Sequence, residues 1–352
     1  MADAASSNKR GLLGRRQAAA WLLAAFAAPW LTTPPPAAAS ELETRSRALQ
    51  RAHAAVFALE VQAVDGARSA ATLGRERQGS AVLIGDDGVL LTVGYLVLEA
   101  ETVALVNDEG VRLPARVLAY DVATGFGLVQ ALAPLGRAAV PLARTPPLPG
   151  PEPLTAISAG EEAEVLPVTL VSRRAFSGTW EYHIETALYT SPPLDQHSGA
   201  ALFNPQGELL GIASLALPDV QPGPARQRLP GNLFLPVDLL QPVLAELRSR
   251  GRSAASARPW LGLNCAEQRG ELRVLRVADD SPADVAGLQS GDRITRIDGR
   301  RVGALSQLWQ TLWADPRPQR AVELEIERDG RLMTVVVHAV DRDATLARAT
   351  GI

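Results

Sequence analysis

The chain of 352 residues is long enough for two or three domains, each with its own hydrophobic core. Its formal net charge of −3 argues against a nucleic-acid partner. Cys265 is the only cysteine, so the chain cannot form an internal disulfide, and we identify no motif for a metal or a cofactor.

The N-terminal residues 1–39 have the features of an export signal. Arg15 and Arg16 precede an apolar stretch from Ala18 to Trp30, and residues 37–39 are alanines that suit cleavage. The arginine pair is compatible with the twin-arginine route as well as with general secretion. An uncleaved membrane anchor is the alternative, although the 13 residues of this stretch are fewer than the ~20 that a transmembrane helix needs. We therefore expect a periplasmic protein with no stable membrane span after cleavage.

Short apolar runs, separated by turn residues, begin near Ala54. The strands predicted from them are Val56–Val61, Ala81–Ile84, Val89–Thr92, Val103–Val106 and Val111–Leu118. Asp-Gly and Glu-Gly pairs mark the turns at Gly88 and Gly110. Many short strands at close spacing favour an antiparallel barrel or sandwich over alternating strands and helices.

A proline-rich stretch over 146–153 predicts an extended crossover to a second set of strands. These strands are Glu164–Ser172, Tyr182–Thr186, Ala200–Phe203, Leu209–Leu217 and Leu233–Pro236. The loop 218–230 is rich in Pro, Gly and Arg, and we expect it near a specificity pocket. Helical spacing of apolar residues predicts one helix over Val237–Arg248 that closes the domain.

The composition then changes, which divides the rest of the chain. Residues 249–257 are small, polar and basic, and predict a polar linker. We assign residues 40–248 to a first domain, 258–341 to a second domain and 342–352 to a C-terminal tail.

Three segments of the first domain resemble the HtrA/Deg family of trypsin-like proteases. Where the family has G-S-G-V-I-I and D-G-Y-I-L-T-N-N-H-V-V, this chain has G-S-A-V-L-I over 79–84 and D-G-V-L-L-T-V-G-Y-L-V over 87–97. Residues 195–202, D-Q-H-S-G-A-A-L, resemble the turn that carries the nucleophilic serine. The resemblance implies a two-lobed trypsin-like antiparallel β-barrel domain.

The second domain resembles an HtrA-type PDZ domain. Residues 281–299 follow the family order S-P-A-x-x-A-G-L-x-x-G-D-x-I-x-x-I/V-N/D-G almost completely. Together, the two resemblances predict a mainly β protein in which the two-lobed barrel domain precedes a PDZ domain.

The resemblance places the nucleophile at Ser198, but the residues that should activate it are replaced. Tyr95 stands at the position of the general-base His, Gly125 at that of the orienting Asp, and Gln196 at that of a glycine of the oxyanion hole. A serine hydroxyl needs a base to take its proton, and a phenol with a reference pKa of about 10 is protonated near neutral pH. We therefore expect a pseudoprotease in which Ser198 is a remnant. The alternative is an active periplasmic serine endopeptidase that uses Ser198 with a non-standard base.

The peptide-binding elements of the PDZ domain are retained. The loop Trp260-Leu261-Gly262-Leu263 matches the family loop whose backbone N–H groups hold a peptide C-terminus while the peptide adds as a strand. Leu305 and Leu308 recur at helical spacing, as does Leu312, and are expected to line the groove. The resemblance thus implies that the partners are protein or peptide C-termini, bound by a scaffold, chaperone or regulator.

The oligomeric state is left open by the sequence. Family members form trimers through a segment ahead of the barrel, but residues 41–53 are helix-prone rather than rich in aromatic residues. A homo-oligomer is therefore one possibility.

Overall fold

The computed structural model describes residues 36–144, 153–223 and 227–348. Most of the predicted export signal, the proline-rich crossover up to residue 152 and the end of the tail lie outside these ranges. Within the described ranges, residues 36–44 belong to one unit and the residues from Arg45 onward to another. Helix α1 (Pro36–Ala54) contains the helix-prone segment 41–53. None of the helices in the described ranges is both long and apolar enough to cross a bilayer.

Six antiparallel strands close into the first barrel. They are β1 (Val56–Ala63), β2 (Glu76–Leu83), β3 (Val89–Val93), β4 (Ala100–Val106), β5 (Arg112–Asp121) and β6 (Phe126–Ala131), paired in the order β1-β2-β3-β6-β5-β4. Two short helices, α2 (Ala70–Leu73) and α3 (Gly94–Val97), lie between strands. Apolar side chains such as Phe57, Leu91 and Phe126 fill the interior, because alternate positions of half-buried strands point inward.

A second six-stranded barrel follows. Its strands are β7 (Leu154–Ile157), β8 (Val165–Ser177), β9 (His183–Ser191), β10 (Ala201–Phe203), β11 (Leu209–Leu217) and β12 (Gly231–Pro236), paired in the order β10-β11-β12-β9-β8-β7. The predicted antiparallel, two-lobed architecture is therefore confirmed. In the loop 218–230, the carbonyl of Val220 accepts hydrogen bonds from Ser172 and Arg174 of β8. The placement of this loop near a specificity pocket stays a prediction.

The helix predicted over Val237–Arg248 is wrong in extent. A 3₁₀ turn covers Val237–Leu239, and helix α4 begins only at Leu244 and ends at Arg250. Pro242 explains the interruption, since a proline in a helix interior lacks the N–H donor and clashes with the preceding turn.

Two serines of the segment 249–257 are packed against the first barrel, while Ser249, Arg250, Ala254 and Ala255 are exposed. Ser253 and Ser256 are buried, and both donate hydrogen bonds to the buried carboxylate of Asp121 in the first barrel, at 2.8 Å from the Ser253 N–H and 2.5 Å from the Ser256 hydroxyl. Burial raises the pKa of Asp121, but the hydrogen bonds from Ser256, Ser253 and Thr124 outweigh it and hold the pKa below the ordinary value. The connection to the second domain is therefore fastened to the first barrel.

A seven-stranded sheet forms the third part of the fold. It contains β13 (Pro259–Trp260), β14 (Leu263–Gln268), β15 (Glu271–Val277), β16 (Arg293–Ile297), β17 (Arg300–Arg301), β18 (Arg320–Arg328) and β19 (Arg331–Asp341). Helices α5 (Pro282–Val285) and α6 (Leu305–Trp313) complete it. Helix α6 contributes Leu308, Trp309 and Leu312 to the core, all fully buried.

Candidate active site and peptide groove

Ser198 lies in the turn that leads into β10, where the two barrels meet. Its carbonyl accepts a hydrogen bond from the Ser80 N–H of the first barrel at 2.8 Å. The next N–H group, that of Gly199, donates to the Ala213 carbonyl of β11 at 3.0 Å. Backbone hydrogen bonds to both barrels thus hold the turn that carries Ser198.

Tyr95 of α3 lies beside Ser198. Its hydroxyl oxygen forms hydrogen bonds with Ser198 Oγ at 2.9 Å and with the Ser214 carbonyl oxygen at 3.0 Å. A phenol has one proton and a carbonyl can only accept, so both bonds can exist together only if the Ser198 hydroxyl donates to Tyr95. The proton that a base would have to remove is therefore directed at a phenol.

The protonation state of Tyr95 decides what this contact can do. Burial raises the pKa of Tyr95 above its ordinary value, with the hydrogen bond to Ser198 acting in the opposite direction. A phenol with a raised pKa is protonated near neutral pH and does not accept a proton from serine. Among the described residues, the Ser198 hydroxyl is thus hydrogen-bonded to the protonated phenol of Tyr95, which cannot act as a general base.

Residue 125, to which the resemblance assigns the orienting carboxylate, is a glycine, and the space beside it is filled by another residue. Gly125 has a φ of +83°, and a Cβ placed there would lie 2.6 Å from the Tyr182 hydroxyl oxygen. Tyr182 is buried and donates to the Thr124 carbonyl at 2.7 Å. Tyr182 therefore occupies the space that a side chain at residue 125 would need.

The backbone N–H groups of the two residues before His197 are hydrogen-bonded to a glutamate side chain. The N–H groups of Asp195 and Gln196 both donate to one carboxylate oxygen of Glu164, at 3.0 and 3.2 Å, and the Gln196 side chain donates to Glu162 at 3.1 Å. An N–H already bonded to a carboxylate is not available to a developing oxyanion. The sequence shows only that Gln196 stands where the family has a glycine of the oxyanion hole, and the structure adds that the N–H of Gln196 has another partner.

Neighbouring histidines do not replace the missing base. His197 precedes Ser198, but its Nδ1 lies 3.2 Å from the Asp195 carbonyl within its own loop. His183 is hydrogen-bonded to Ser177 and Glu185 at the start of β9. Both imidazoles thus have partners other than Ser198.

The second site is the loop 260–263 of the PDZ domain, and its amides converge on a side chain of the same chain. The N–H of Gly262 donates to Glu181 Oε1 at 2.7 Å, that of Leu263 at 3.0 Å, and that of Leu261 lies 3.1 Å from both carboxylate oxygens. Glu181 is only 4 % exposed. Burial raises its pKa, and the amides of Leu263, Leu261 and Gly262 oppose that change because they stabilise the ionised form.

The residues before Glu181 continue along the groove between β14 and α6. Trp180 pairs with Asn264 in an antiparallel bridge, and the Cys265 N–H donates to the Thr179 carbonyl at 2.6 Å. On the other side, Trp309 Nε1 of α6 donates to the Gly178 carbonyl at 3.0 Å. Residues 178–181 thus lie beside β14, which they meet through one isolated antiparallel bridge at Trp180.

The predicted groove residues of α6 are found in the domain interior. Leu305 is 7 % exposed and Leu308 is fully buried, both within the PDZ core. Their role in holding a peptide side chain stays a prediction. Sequence reasoning missed Glu181 and Tyr182, although an acidic residue between two aromatic residues, directly before the predicted strand Tyr182–Thr186, was an available signal. The described ranges contain no cluster of side chains suited to a metal ion.

Comparisons with known proteins find a matching domain family for each of the two domains. Residues 79–212 match the trypsin-like peptidase domain family, and residues 259–338 match the PDZ domain family. The chain is 27% identical over 281 residues to a probable periplasmic serine endoprotease DegP-like of Ectopseudomonas mendocina, which covers 73% of this chain and 56% of the relative. It therefore spans just over half the length of that relative. Serine endoprotease DegS of Escherichia coli is 24% identical over 282 residues, or 76% of this chain and 78% of DegS.

Solved structures share the fold. The serine endoprotease from Yersinia pestis is 22% identical with a TM-score of 0.51, and the match covers 84% of this chain and 97% of the other. The HtrA-type protease AlgW with decapeptide is 19% identical with a TM-score of 0.52, covering 85% and 98%. The chain thus contains a trypsin-like peptidase domain followed by a PDZ domain, and it is similar in sequence and fold to DegP-like, DegS and HtrA-type serine endoproteases.

Proposed function

We propose that this chain is an exported HtrA-like pseudoprotease that binds protein or peptide termini through its PDZ domain, as a scaffold, chaperone or regulator. The observation that carries the proposal is the 2.9 Å contact between Tyr95 and Ser198. It gives the nucleophile a protonated phenol in place of a base, and catalysis by a serine depends on the removal of its proton.

Two further features support the loss of proteolysis. The Tyr182 hydroxyl fills the space beside Gly125, and Glu164 holds the N–H groups that precede Ser198. Removal of a single oxyanion donor costs about 2.7–4 kcal/mol of transition-state stabilisation in a serine protease. The base and the orienting group are thus replaced, and one expected oxyanion donor, the N–H of Gln196, is bonded to Glu164.

The binding and location parts of the proposal rest on the PDZ domain and on the relatives. The loop amides of Leu261, Gly262 and Leu263 point to one carboxylate, which is the chemistry that a peptide C-terminus would use. DegP-like relatives are named periplasmic, and the export signal predicted over 1–39 fits the same compartment. We infer cleavage after Ala39.

The mature chain, residues 40–352, is expected to hydrolyse casein no faster than its Ser198→Ala variant. The physical reason is that Ser198 has no basic partner, so its replacement removes nothing that contributes to the rate. The measurement is the release of fluorescence from labelled casein over hours at neutral pH, with both proteins prepared in parallel. Activity present in the natural chain and absent from Ser198→Ala would establish the alternative, a serine endopeptidase with a non-standard base.

A further inference from the structure

We propose that residues 178–181, in the turn between β8 and β9, are an internal ligand of the PDZ groove, and that an external peptide binds by displacing them. The choice of external ligand, an extended peptide with a free C-terminal carboxylate, rests on the proposed function. The occupation of the groove by the chain itself does not.

The anchor of the internal ligand is the Glu181 carboxylate. Within the part of the chain that the structure describes, its hydrogen bonds come from the backbone N–H groups of Leu261, Gly262 and Leu263, between 2.7 and 3.1 Å. Consecutive amides that converge on one oxygen form an anion site, and a glutamate side chain presents the same carboxylate as a peptide terminus. The Glu181 carboxylate thus accepts the hydrogen bonds of the loop amides as the C-terminal carboxylate of a peptide would.

The backbone of the segment adds the second element of peptide recognition. From Glu181 backwards, Trp180 lies opposite Asn264 and Thr179 opposite Cys265, so the segment runs antiparallel to β14. Gly178 then reaches Trp309 of α6. An anchored carboxylate followed by strand addition is the arrangement in which an extended peptide binds a sheet edge.

An external ligand must therefore compete with this segment. The loop amides are buried, with Leu261 at 0% and Leu263 at 2% exposure, and cannot bond two carboxylates at once. The observed dissociation constant is the intrinsic one divided by the fraction of molecules whose groove is open. Removal of the Glu181 carboxylate should raise that fraction and tighten the binding of external peptides.

The first test needs no external peptide. Amide hydrogen exchange is measured in the full mature chain and in its Glu181→Ala variant, with Glu161→Ala, an exposed glutamate of the same domain, as the matched control. We expect exchange at Leu261, Gly262 and Leu263 to rise at least tenfold in Glu181→Ala only, while the core strand β18 stays protected. Unchanged exchange in the loop would overturn the internal ligand.

The second test uses labelled decapeptides that end in Val, Leu or Phe, each as free acid and as amide, and follows fluorescence anisotropy. Free acids should bind Glu181→Ala at least tenfold more tightly than the natural chain or Glu161→Ala, and amides should gain nothing. Raised exchange with no binding of any free acid would support the internal ligand and reject the proposed peptide-binding function. Equal binding to all three proteins, with unchanged exchange, would reject the internal ligand and leave that function standing.

A second variant covers the case in which Glu181→Ala does not fold. Trp309→Phe keeps an aromatic ring in the core and removes the donor to the Gly178 carbonyl. It should raise exchange at the same loop amides and at Cys265, by less than the loss of the carboxylate does. Natural protection of these amides in Trp309→Phe would count against the internal ligand.

Discussion

We expect that the double variant Tyr95→His, Gly125→Asp does not regain proteolysis, because residue 125 has no room for a side chain. A Cβ at residue 125 would lie 2.6 Å from the Tyr182 hydroxyl oxygen and 3.1 Å from Leu235, on a backbone with φ +83°. The left-handed backbone costs about 1–2 kcal/mol, and overpacking adds about 1–3 kcal/mol, so Gly125→Asp alone should lower the free energy of unfolding by roughly 2–5 kcal/mol.

Urea unfolding of the single variant, followed by tryptophan fluorescence, measures this loss. Gly66→Asp is the matched control, because Gly66 has a φ of +74° and nothing within 4 Å of an added Cβ, so only the backbone cost should appear. Tyr182→Phe, which removes the clashing oxygen, should recover part of the loss when combined with Gly125→Asp. Equal destabilisation at residues 66 and 125, or robust casein cleavage by Tyr95→His with Gly125→Asp, would contradict this account of the site.

Gly262→Ala is expected to destabilise the PDZ domain strongly. Gly262 has a φ of +89°, and an added Cβ would lie 2.2 Å from Cβ of Ser281, which is fully buried at the start of α5. The clash is with a short, buried side chain, so the loop must move and its amides lose their alignment on Glu181. We expect a loss of roughly 2–5 kcal/mol, the sum of backbone strain and overpacking.

Gly270→Ala provides the comparison for this variant. Gly270 has a φ of +78° and no atom within 4 Å of the added Cβ, so its cost should be about 1–2 kcal/mol from the backbone alone. Urea unfolding curves of the two variants separate strain from the steric clash. A Gly262→Ala curve that coincides with that of Gly270→Ala would show that the loop has more room than the structure gives it.

The strands that the sequence predicted in the two barrels are apolar runs that turn residues separate. Strand β7, with four residues after the proline-rich stretch, and β6, which begins directly after Gly125, were missed. Both are short or mixed in polarity, and their pairing with distant strands decides their conformation. The helix predicted over Val237–Arg248 was wrong because of Pro242, which lacks an N–H donor and disfavours a helix interior. This reason is local and was already visible in the sequence.

At the site, the family resemblance pointed to Ser198, Tyr95, Gly125 and Gln196, because each of these residues lies in a contiguous segment that can be compared with a family motif. The residues that occupy the two sites, Tyr182 and Glu181, are not part of any such segment. Glu181 meets Leu261 from 80 residues away in the chain, and this contact depends on how the PDZ domain packs against the hairpin of β8 and β9. Local patterns carry no information about a contact at that separation.

Labelling by a fluorophosphonate tests most directly whether Ser198 is activated, because this reagent reacts only with a nucleophilic serine. The mature chain and Ser198→Ala are incubated with the reagent near neutral pH, and intact mass is recorded over time. We predict no mass increase in the natural chain beyond that of the variant, since the Ser198 hydroxyl donates to a protonated Tyr95. A stoichiometric adduct that is present in the natural chain and absent from Ser198→Ala would contradict the account.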